Sequence, residues 1–473
     1  LDLSSNTPDG HVIVAGGSVA GLATALALGR LGHPVTVLER DALGQCTDAE
    51  AAFATERHGA PQAHQTHGFL ARMTVVLRQR YPDILDALQT AGAESMTLTG
   101  SLGDYEAGDE DLNTLIVRRT TFEWALRDAV RREPGVTFRS DINVGGLLSQ
   151  QGDRPHVTGV RLDDGSELHG DVVACTGRRG AVVPWLSDIG ISLSEEVVNS
   201  EIVYLTRWYR RPSDFTLTVD ARLGGDFGYL KYLAIPCDGS TFSVTLAVRS
   251  SDSELRSVLM DPEAFDRACH ALPGPDRFFV NDGIQAIGSV RPMGGLINRL
   301  RRFTDGDGQA LVTGFHAVGD AHTCTNPMYG RGCSLAFVQA TLLADAFAEH
   351  PGDPLQRAAT YEALSAREVE PWYHSAVMMD KMGQSAGEGK TDEPFARKFG
   401  LLIADVMLGN PVDPVIARGL LRMMNTLIRP DELMADSEFI GRIASYFAGP
   451  QQDSSELDAL RVSRGSLLNA VAA

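Results

Sequence analysis

The sequence predicts an α/β protein built on a Rossmann-like parallel sheet, with an antiparallel β-rich layer inserted into it and a helical region after it. Three observations carry this prediction. The run His11-Val12-Ile13-Val14-Ala15-Gly16-Gly17-Ser18-Val19-Ala20-Gly21, an apolar helical stretch from Ser18 to Leu31, and Pro34-Val35-Thr36-Val37-Leu38-Glu39-Arg40 read as strand, tight turn, helix, strand and terminal acid. Apolar strand-like segments return at Asp171-Val172-Val173-Ala174 and again around residues 310–320. Between these returns, from Val197 to Val248, the chain becomes rich in β-branched and aromatic residues.

Within the first unit, the amides at the start of the Ser18–Leu31 helix would face a pyrophosphate, since unpaired N–H groups and the helix dipole favour negative charge there. Glu39 closes the second strand, where a carboxylate can accept ribose hydroxyls. Ser18 occupies the second glycine position of the turn. Asp41 to Ala60 reads as polar loop or weak helix, and Gly68 to Ala91 as a helix with Leu70, Met73, Val76 and Leu77 on one stripe. Thr120 to Val130 predicts a second helix opened by a capping box between Thr120 and Glu123. Val136–Arg139 is a short strand, and residues 141–174 alternate like strands around the turn Asp163-Asp164-Gly165-Ser166.

In the β-rich stretch, Ile202–Leu205, Phe215–Val219 and Thr241–Leu246 are candidate strands of a substrate layer. The parallel sheet is expected to resume at Ala310–Gly314 and Ala317–Asp320. From Pro354 the pattern is helical to about Leu427, with an acidic, serine-containing stretch after Pro450. The domain boundaries expected are 1–195 and 301–350 for the two parts of the dinucleotide-binding domain, 196–300 for the β-rich layer and 351–473 for the helical region.

A chain of 473 residues with 43% hydrophobic and 22% charged residues has room for two or three domains with a buried core. Its net charge of -19 argues against a nucleic-acid partner, which needs a basic face. The positive charge is almost all arginine, the only lysines being Lys231, Lys381, Lys390 and Lys398. Six scattered cysteines without a C-x-x-C pair indicate neither a disulfide framework nor a zinc site, which fits a cytoplasmic setting. No apolar run approaches a membrane span. His64 and His67 have metal-ligand spacing, but no third ligand cluster accompanies them, so no metal is expected.

The segment His316-Ala317-Val318-Gly319-Asp320-Ala321-His322, continuing through Asn326-Pro327-Met328-Tyr329-Gly330-Arg331-Gly332-Cys333, resembles the second flavin fingerprint of the p-hydroxybenzoate-hydroxylase-like FAD proteins. Within that superfamily it is nearest in motif to polyether-pathway flavin epoxidases and to the geranylgeranyl reductase and halogenase branches. The resemblance covers about residues 10–345 and implies a GR2-type FAD-binding domain. Residues implied to hold FAD are Gly16, Ser18, Ala20, Gly21, Glu39 and Arg40 from the first fingerprint, and Gly319, Asp320, Gly330, Gly332 and Cys333 from the second. Gln62 comes from Ala60-Pro61-Gln62-Ala63-His64-Gln65-Thr66-His67, which resembles the epoxidases' Pro-Gln-x-x-x-x-His segment, and Arg119 matches the family's FAD-contacting arginine.

Asp171 to Arg178 matches the family's middle motif, with Thr176 and Gly177 where hydroxylases that bind NAD(P)H directly carry Asp-Gly. The departure leaves open whether NADPH or NADH delivers electrons directly or through a separate flavin reductase. The implied reaction is oxygenation, by hydroxylation or epoxidation, of an apolar or aromatic small molecule through a flavin C4a-hydroperoxide shielded from water. Pro327, Tyr329 and Gly330 would shape the oxygen pocket, and His67, Tyr204, Trp208, Tyr229 and Tyr232 would line the substrate cavity. An alkene reductase of the geranylgeranyl reductase type and a redox-sensing flavoprotein stay open as alternatives. Halogenation is disfavoured, because no lysine precedes Lys231 and the halogenase Trp-x-Trp-x-Ile-Pro motif finds only Lys231-Tyr232-Leu233-Ala234-Ile235-Pro236.

Overall fold

Five short strands form a parallel sheet in the order Phe315–Ala317, Asp171–Ala174, Val12–Ala15, Val35–Glu39, Val136–Ser140. The computed structural model describes residues 10–99, 102–217, 223–387, 394–408, 410–449 and 462–472. Being covered on both faces, the central strands are continuous apolar runs without alternation, and Val12, Ile13 and Val14 are fully buried. The helix Val19–Arg30 crosses from the first strand to the second. Alanine and leucine, residues of high helix propensity, make up most of it, and Gly32 in the left-handed region ends it before Pro34. It packs between the helices Arg119–Arg132 and Gly332–Glu349, so its buried residues lie on several faces.

A second, antiparallel sheet orders Gly224–Asp226, Leu230–Cys237, Thr241–Arg249, Ile202–Arg210 and Gln285–Met293. One face carries Leu205, Tyr232, Phe242 and Leu246 onto a core shared with the helix Pro262–Ala271 and with Leu467 and Val471 of the helix Arg464–Ala472. A smaller antiparallel sheet, Ser194–Asn199, Ile297–Arg302 and Thr323–Cys324, joins the two larger ones. The helix Pro354–Glu368 is tied to the parallel sheet, where Tyr361 donates to Ala317 O at 2.6 Å and Arg357 pairs with Asp171, and the helix Glu370–Gly387 packs on the smaller antiparallel sheet.

Several sequence expectations are corrected. Gly68–Ala91 is two helices, Ala71–Arg80 and Pro82–Thr90, because Pro82 has no N–H to continue the first and forces Tyr81 out of the helical region. The expected capping box is absent: the helix begins at Arg119, Thr120 Oγ1 is buried without a partner among the described residues, and Glu123 turns into a charge network. Ala310–Gly314 is not a sheet strand; it makes isolated bridges to Thr304 and His156, and Phe315–Ala317 takes the sheet edge. Phe215–Leu217 forms no strand, and the rest of that expected strand, residues 218 and 219, lies outside the described residues. Helix continues beyond Leu427 as Pro430–Ala435, Ser437–Ala448 and Arg464–Ala472, while residues 450–461 lie outside the described residues.

Phe122 joins these layers. It is fully buried, stacks on Phe69 at 4.2 Å between centroids and meets Phe337 edge-on at 6.0 Å. Phe122→Ala is expected to cost about 3–5 kcal/mol through lost burial and a residual cavity. The shift in urea midpoint at unchanged slope measures it; a loss below about 1 kcal/mol would mean that the neighbours close the gap.

Candidate functional site

A cavity of about 680 Å³ runs from the first glycine turn, past the ends of the parallel strands, to the face of the antiparallel sheet that is turned away from the helix Pro262–Ala271. At one end the backbone comes close to itself. Gly16 has φ +115°, and a Cβ there would sit 2.4 Å from Cys175 O, so only glycine permits this turn. A Cβ on Gly21 would lie 1.8 Å from Gly16 O, so that glycine lets the helix start against the turn; it is not itself in the cavity wall. Gly16, Ser18 and Ala20 do border the cavity, and they present the N-terminus of Val19–Arg30 to it.

Beneath the turn lies a charge network that the sequence did not disclose. Glu123 Oε1 accepts from Ser18 Oγ at 2.6 Å and Arg119 Nε at 2.9 Å, and its Oε2 accepts from Arg57 Nη1 at 2.6 Å. Burial pushes the Glu123 carboxyl up, but Arg57 and Arg119 outweigh it and bring the pKa down to about 2. Arg57 also donates to Asp41 at 2.9 Å and Glu39 at 3.2 Å; burial opposes its charge, and Glu123 and Glu39 more than restore it. Glu39 accepts further from Gly17 N at 2.8 Å and Asp41 N at 2.9 Å, so it shapes the turn as well as facing the cavity. Ser18, where the fingerprint has glycine, thus uses its hydroxyl as a link in this network. Arg119, Glu123 and Arg127 at i, i+4 spacing were the available signal; nothing in the polar Asp41–Ala60 stretch singled out Arg57.

Arg119 reaches across to the histidine segment. Its Nη1 donates to His67 Nε2 at 3.1 Å, while His67 Nδ1 donates to Gln65 O at 2.9 Å, a pairing that needs a neutral imidazole. Desolvation, reinforced by Arg119, pushes the His67 pKa down to about 3. His64 instead donates to Phe53 O at 2.9 Å, so the two imidazoles serve separate partners. The histidine segment is stitched to the antiparallel sheet by hydroxyls: Thr206 donates to Gln65 Oε1 at 2.6 Å, Thr245 to Thr66 at 2.7 Å, and Thr66 to Ser243 at 2.8 Å.

Further along the wall come Arg40, Gln62, Thr176 and Gly177, then Gly319, Asp320, Pro327, Gly330, Gly332 and Cys333. Thr176 Oγ1 is buried with no hydrogen-bond partner among the described residues. Burial raises the Asp320 carboxyl, against the pull of Arg119, Arg178 and Arg299. The far end has a floor set by strand register: Lys231, Ala247, Tyr204 and Met293 pair across four adjacent strands and all border the cavity. Met328, Ile403 and Met424 complete that end, the last two from the helices Pro394–Leu408 and Pro414–Met424.

Three aromatic expectations are corrected, those for Trp208, Tyr229 and Tyr329. Trp208 is buried away from the cavity, its indole N–H donating to His64 O at 2.7 Å. Tyr229 lies outside the cavity wall beside Phe227. Tyr232 borders the cavity, but its ring packs on the opposite face of the sheet, alternate to Lys231 and Leu233. Tyr329 turns behind the Pro327–Gly330 loop, donating to Asp380 at 2.6 Å. Strand phase and loop direction, not residue type, decide these placements.

No family model matches the chain. It is 25% identical over 458 residues to Protein Rv3254 of Mycobacterium tuberculosis (strain ATCC 25618 / H37Rv), covering 89% of this chain and 90% of that protein. It is 25% identical over 383 residues to Monooxygenase CTB7 of Cercospora beticola, covering 74% of this chain and 81% of that one. Its fold is similar to that of p-nitrophenol 4-monooxygenase PnpA from Pseudomonas putida DLL-E4, with a TM-score of 0.60 at 18% identity over 89% of this chain and 98% of that chain. Among the described residues no helix is long and apolar enough to cross a membrane, and no cluster of metal-ligating side chains is present.

His67 makes stability depend on pH. In the unfolded chain it takes a proton near pH 6.5, and in the fold only near 3, so the unfolded state binds more protons between these values. Stability is therefore complete above about pH 6.5 and is shed as pH falls toward about 3. His64 and His316 shift the same way and stay in both proteins compared. His67→Gln is expected to flatten the fall of melting temperature between about pH 6.5 and 4. Parallel curves for variant and parent would show that His67 is not held neutral.

Proposed function

We propose that the protein is an FAD-dependent monooxygenase that inserts one oxygen atom into an apolar or aromatic small molecule. The observation that carries this reading is the single cavity joining a dinucleotide turn at Gly16 to Asp320 and the Gly330–Gly332 backbone, and then to an apolar floor. The similarity to Monooxygenase CTB7 and the fold shared with PnpA support it. The chain's own residues fit FAD: a glycine cradle at a helix N-terminus, the unpartnered Thr176 hydroxyl in the wall, and a carboxyl at Asp320 strained by burial. Bound and reduced, FAD supplies the activation of molecular oxygen.

In this reading the amides of Ser18 to Ala20 hold the pyrophosphate, and the lone pairs of Glu39 left by Gly17, Asp41 and Arg57 accept from the adenosine ribose. Asp320 accepts from the ribityl chain. Arg119 and neutral His67 hold polar groups beside Gly332 and Cys333, while Tyr204, Ala247, Met293, Met328, Ile403 and Met424 exclude water from the reacting end. Lys231 pairs with Asp226 at 3.1 Å in the sheet floor, far in the chain from any halogenase lysine position, so oxygenation is preferred over halogenation. Thr176 and Gly177 favour a weakly held NADPH or NADH, or a separate flavin reductase, as electron source. All six cysteines are thiols, which fits a reducing compartment.

Labelled molecular oxygen tests the reaction. Product formed with reduced enzyme should carry one labelled atom and be unchanged by bromide; complete conversion under strict anaerobiosis would instead make the protein an alkene reductase. Acid denaturation should release FAD, not FMN, from the polypeptide. Asp320→Ala should weaken FAD retention by about tenfold, the equivalent of one hydrogen bond involving a charge, without lowering the melting temperature of the cofactor-free protein. Equal destabilisation of both forms would mean that the carboxyl serves the fold.

A further inference from the structure

Behind the cavity loop stands a carboxylate that belongs to none of the flavin motifs. Asp380, on the helix Glu370–Gly387, is 6% exposed. Its Oδ1 accepts from Tyr329 Oη at 2.6 Å and Asn326 Nδ2 at 2.9 Å, and its Oδ2 from Asn298 Nδ2 at 2.7 Å. Asn326 passes the constraint onward: its Oδ1 accepts from Tyr204 Oη at 3.0 Å and Met328 N at 3.1 Å, and its own N–H donates to Asn298 Oδ1 at 2.8 Å. The Arg331 guanidinium lies 5.1 Å from the Tyr329 ring and 4.9 Å from Trp372 of the same helix. One carboxylate therefore ties together the helix, the strand Ile297–Arg302, the loop and, through Asn326, the cavity floor.

Within itself the loop has little to hold it. Tyr329 N donates to Asn326 O at 3.3 Å and Gly330 N to Pro327 O at 2.9 Å, and Gly330 sits in the left-handed region at φ +66°. The side chain that faces backward, Tyr329, is the one Asp380 holds; Pro327, Met328 and Gly330 are left facing the cavity. A carboxylate is acceptor-only, as these three donors require, whereas an amide in its place would set an NH₂ against at least one of them.

We propose, on the basis of the flavin monooxygenase reading above, that Asp380 is a positioning residue: it fixes the Asn326–Gly330 loop and so sets where substrate and flavin ring meet. The helical region after residue 350 is then a working wall of the site. Specificity for the substrate end is shared between the sheet floor and a helix that lies outside every recognised motif.

The test compares wild type, Asp380→Asn and Tyr329→Phe by hydrogen–deuterium exchange and, after loading with FAD, by the visible circular dichroism of the flavin and its reoxidation by oxygen following photoreduction. Exchange in peptides covering residues 326–332 should rise about tenfold in Asp380→Asn and by less in Tyr329→Phe, as expected for losing bonds to a charged acceptor. The flavin dichroism and reoxidation rate should change, with FAD affinity kept within about threefold because Gly330 alone of the residues assigned to the cofactor lies in the Asn326–Gly330 loop, the others lying outside it. Faster exchange with an unchanged flavin signal would make Asp380 merely structural and overturn the proposal, as would unchanged exchange. If Asp380→Asn does not fold, Tyr329→Phe decides by the same readouts. A wild type that takes up no FAD sinks the flavin reading and with it the positioning role, while the exchange arm still reports separately whether Asp380 holds the loop.

Discussion

The fold around the first glycine turn depends on one buried carboxylate meeting its cations. Glu123 joins the first turn through Ser18, its own helix through Arg119, and the Asp41–Ala60 connection through Arg57. Replacing such a cluster by well-packed apolar groups is often neutral or stabilising, but removing one member leaves the others charged and unpaired at a cost of about 3–5 kcal/mol. Its contribution is therefore to specify one arrangement. With Glu123 in place, the helix Arg119–Arg132 can sit at only one rotation against the Gly16–Ser18 turn, and Arg119 then points at His67. The position of the histidine segment, and through its hydroxyl links the position of the antiparallel sheet, follow from that.

At the other end the constraint is different in kind. The floor row Lys231, Ala247, Tyr204 and Met293 is fixed by β-register, which a slip of one residue would invert. Thr206 and Thr245, in the next row, anchor Gln65 and Thr66, so the register that sets the floor also sets the wall facing it. Helical residues after 350 finish the enclosure, held to the parallel sheet by Tyr361 and Arg357 and to the cavity loop by Asp380. The cavity is thus a product of three layers packed together, and no single segment of sequence encodes it.

That division explains what could be read in advance. The turn at Gly16, the helix from Ser18, Glu39, and the return at Gly319 and Asp320 were legible because local backbone chemistry dictates them: a glycine where φ is positive, an apolar run where both faces are covered. Whether Trp208 or Tyr204 faces the cavity was not legible from composition, since both lie on one strand face and only the depth of the cavity separates them. Tyr232 illustrates a mixed case, a residue that borders the cavity while its ring belongs to the core on the other sheet face. Thr120 and Glu123 had capping-box spacing, but the helix begins at Arg119, which leaves Thr120 inside it and not at the cap, and Glu123 serves tertiary charge pairing. Arg57 and Asp380 carried no local signal at all, because their partners are distant in sequence.

The charge pattern bears on how a dinucleotide would be held. A net charge of -19 opposes the approach of a diphosphate unless positive groups are aimed at it. The two arginines closest to the turn are already committed: Arg57 to Glu39, Asp41 and Glu123, and Arg119 to Glu123 and neutral His67. What faces the cavity at the turn is the open N-terminus of Val19–Arg30, whose Ser18 cap forms no side-chain bond to the backbone and so leaves the first amides free of a competing acceptor. In the reading proposed above, recognition there would fall to backbone N–H groups and the helix dipole, with glycine required at Gly16 and Gly21 for the turn and serine tolerated at position 18. The arginines act one layer back, holding the turn in the shape that lets its amides converge.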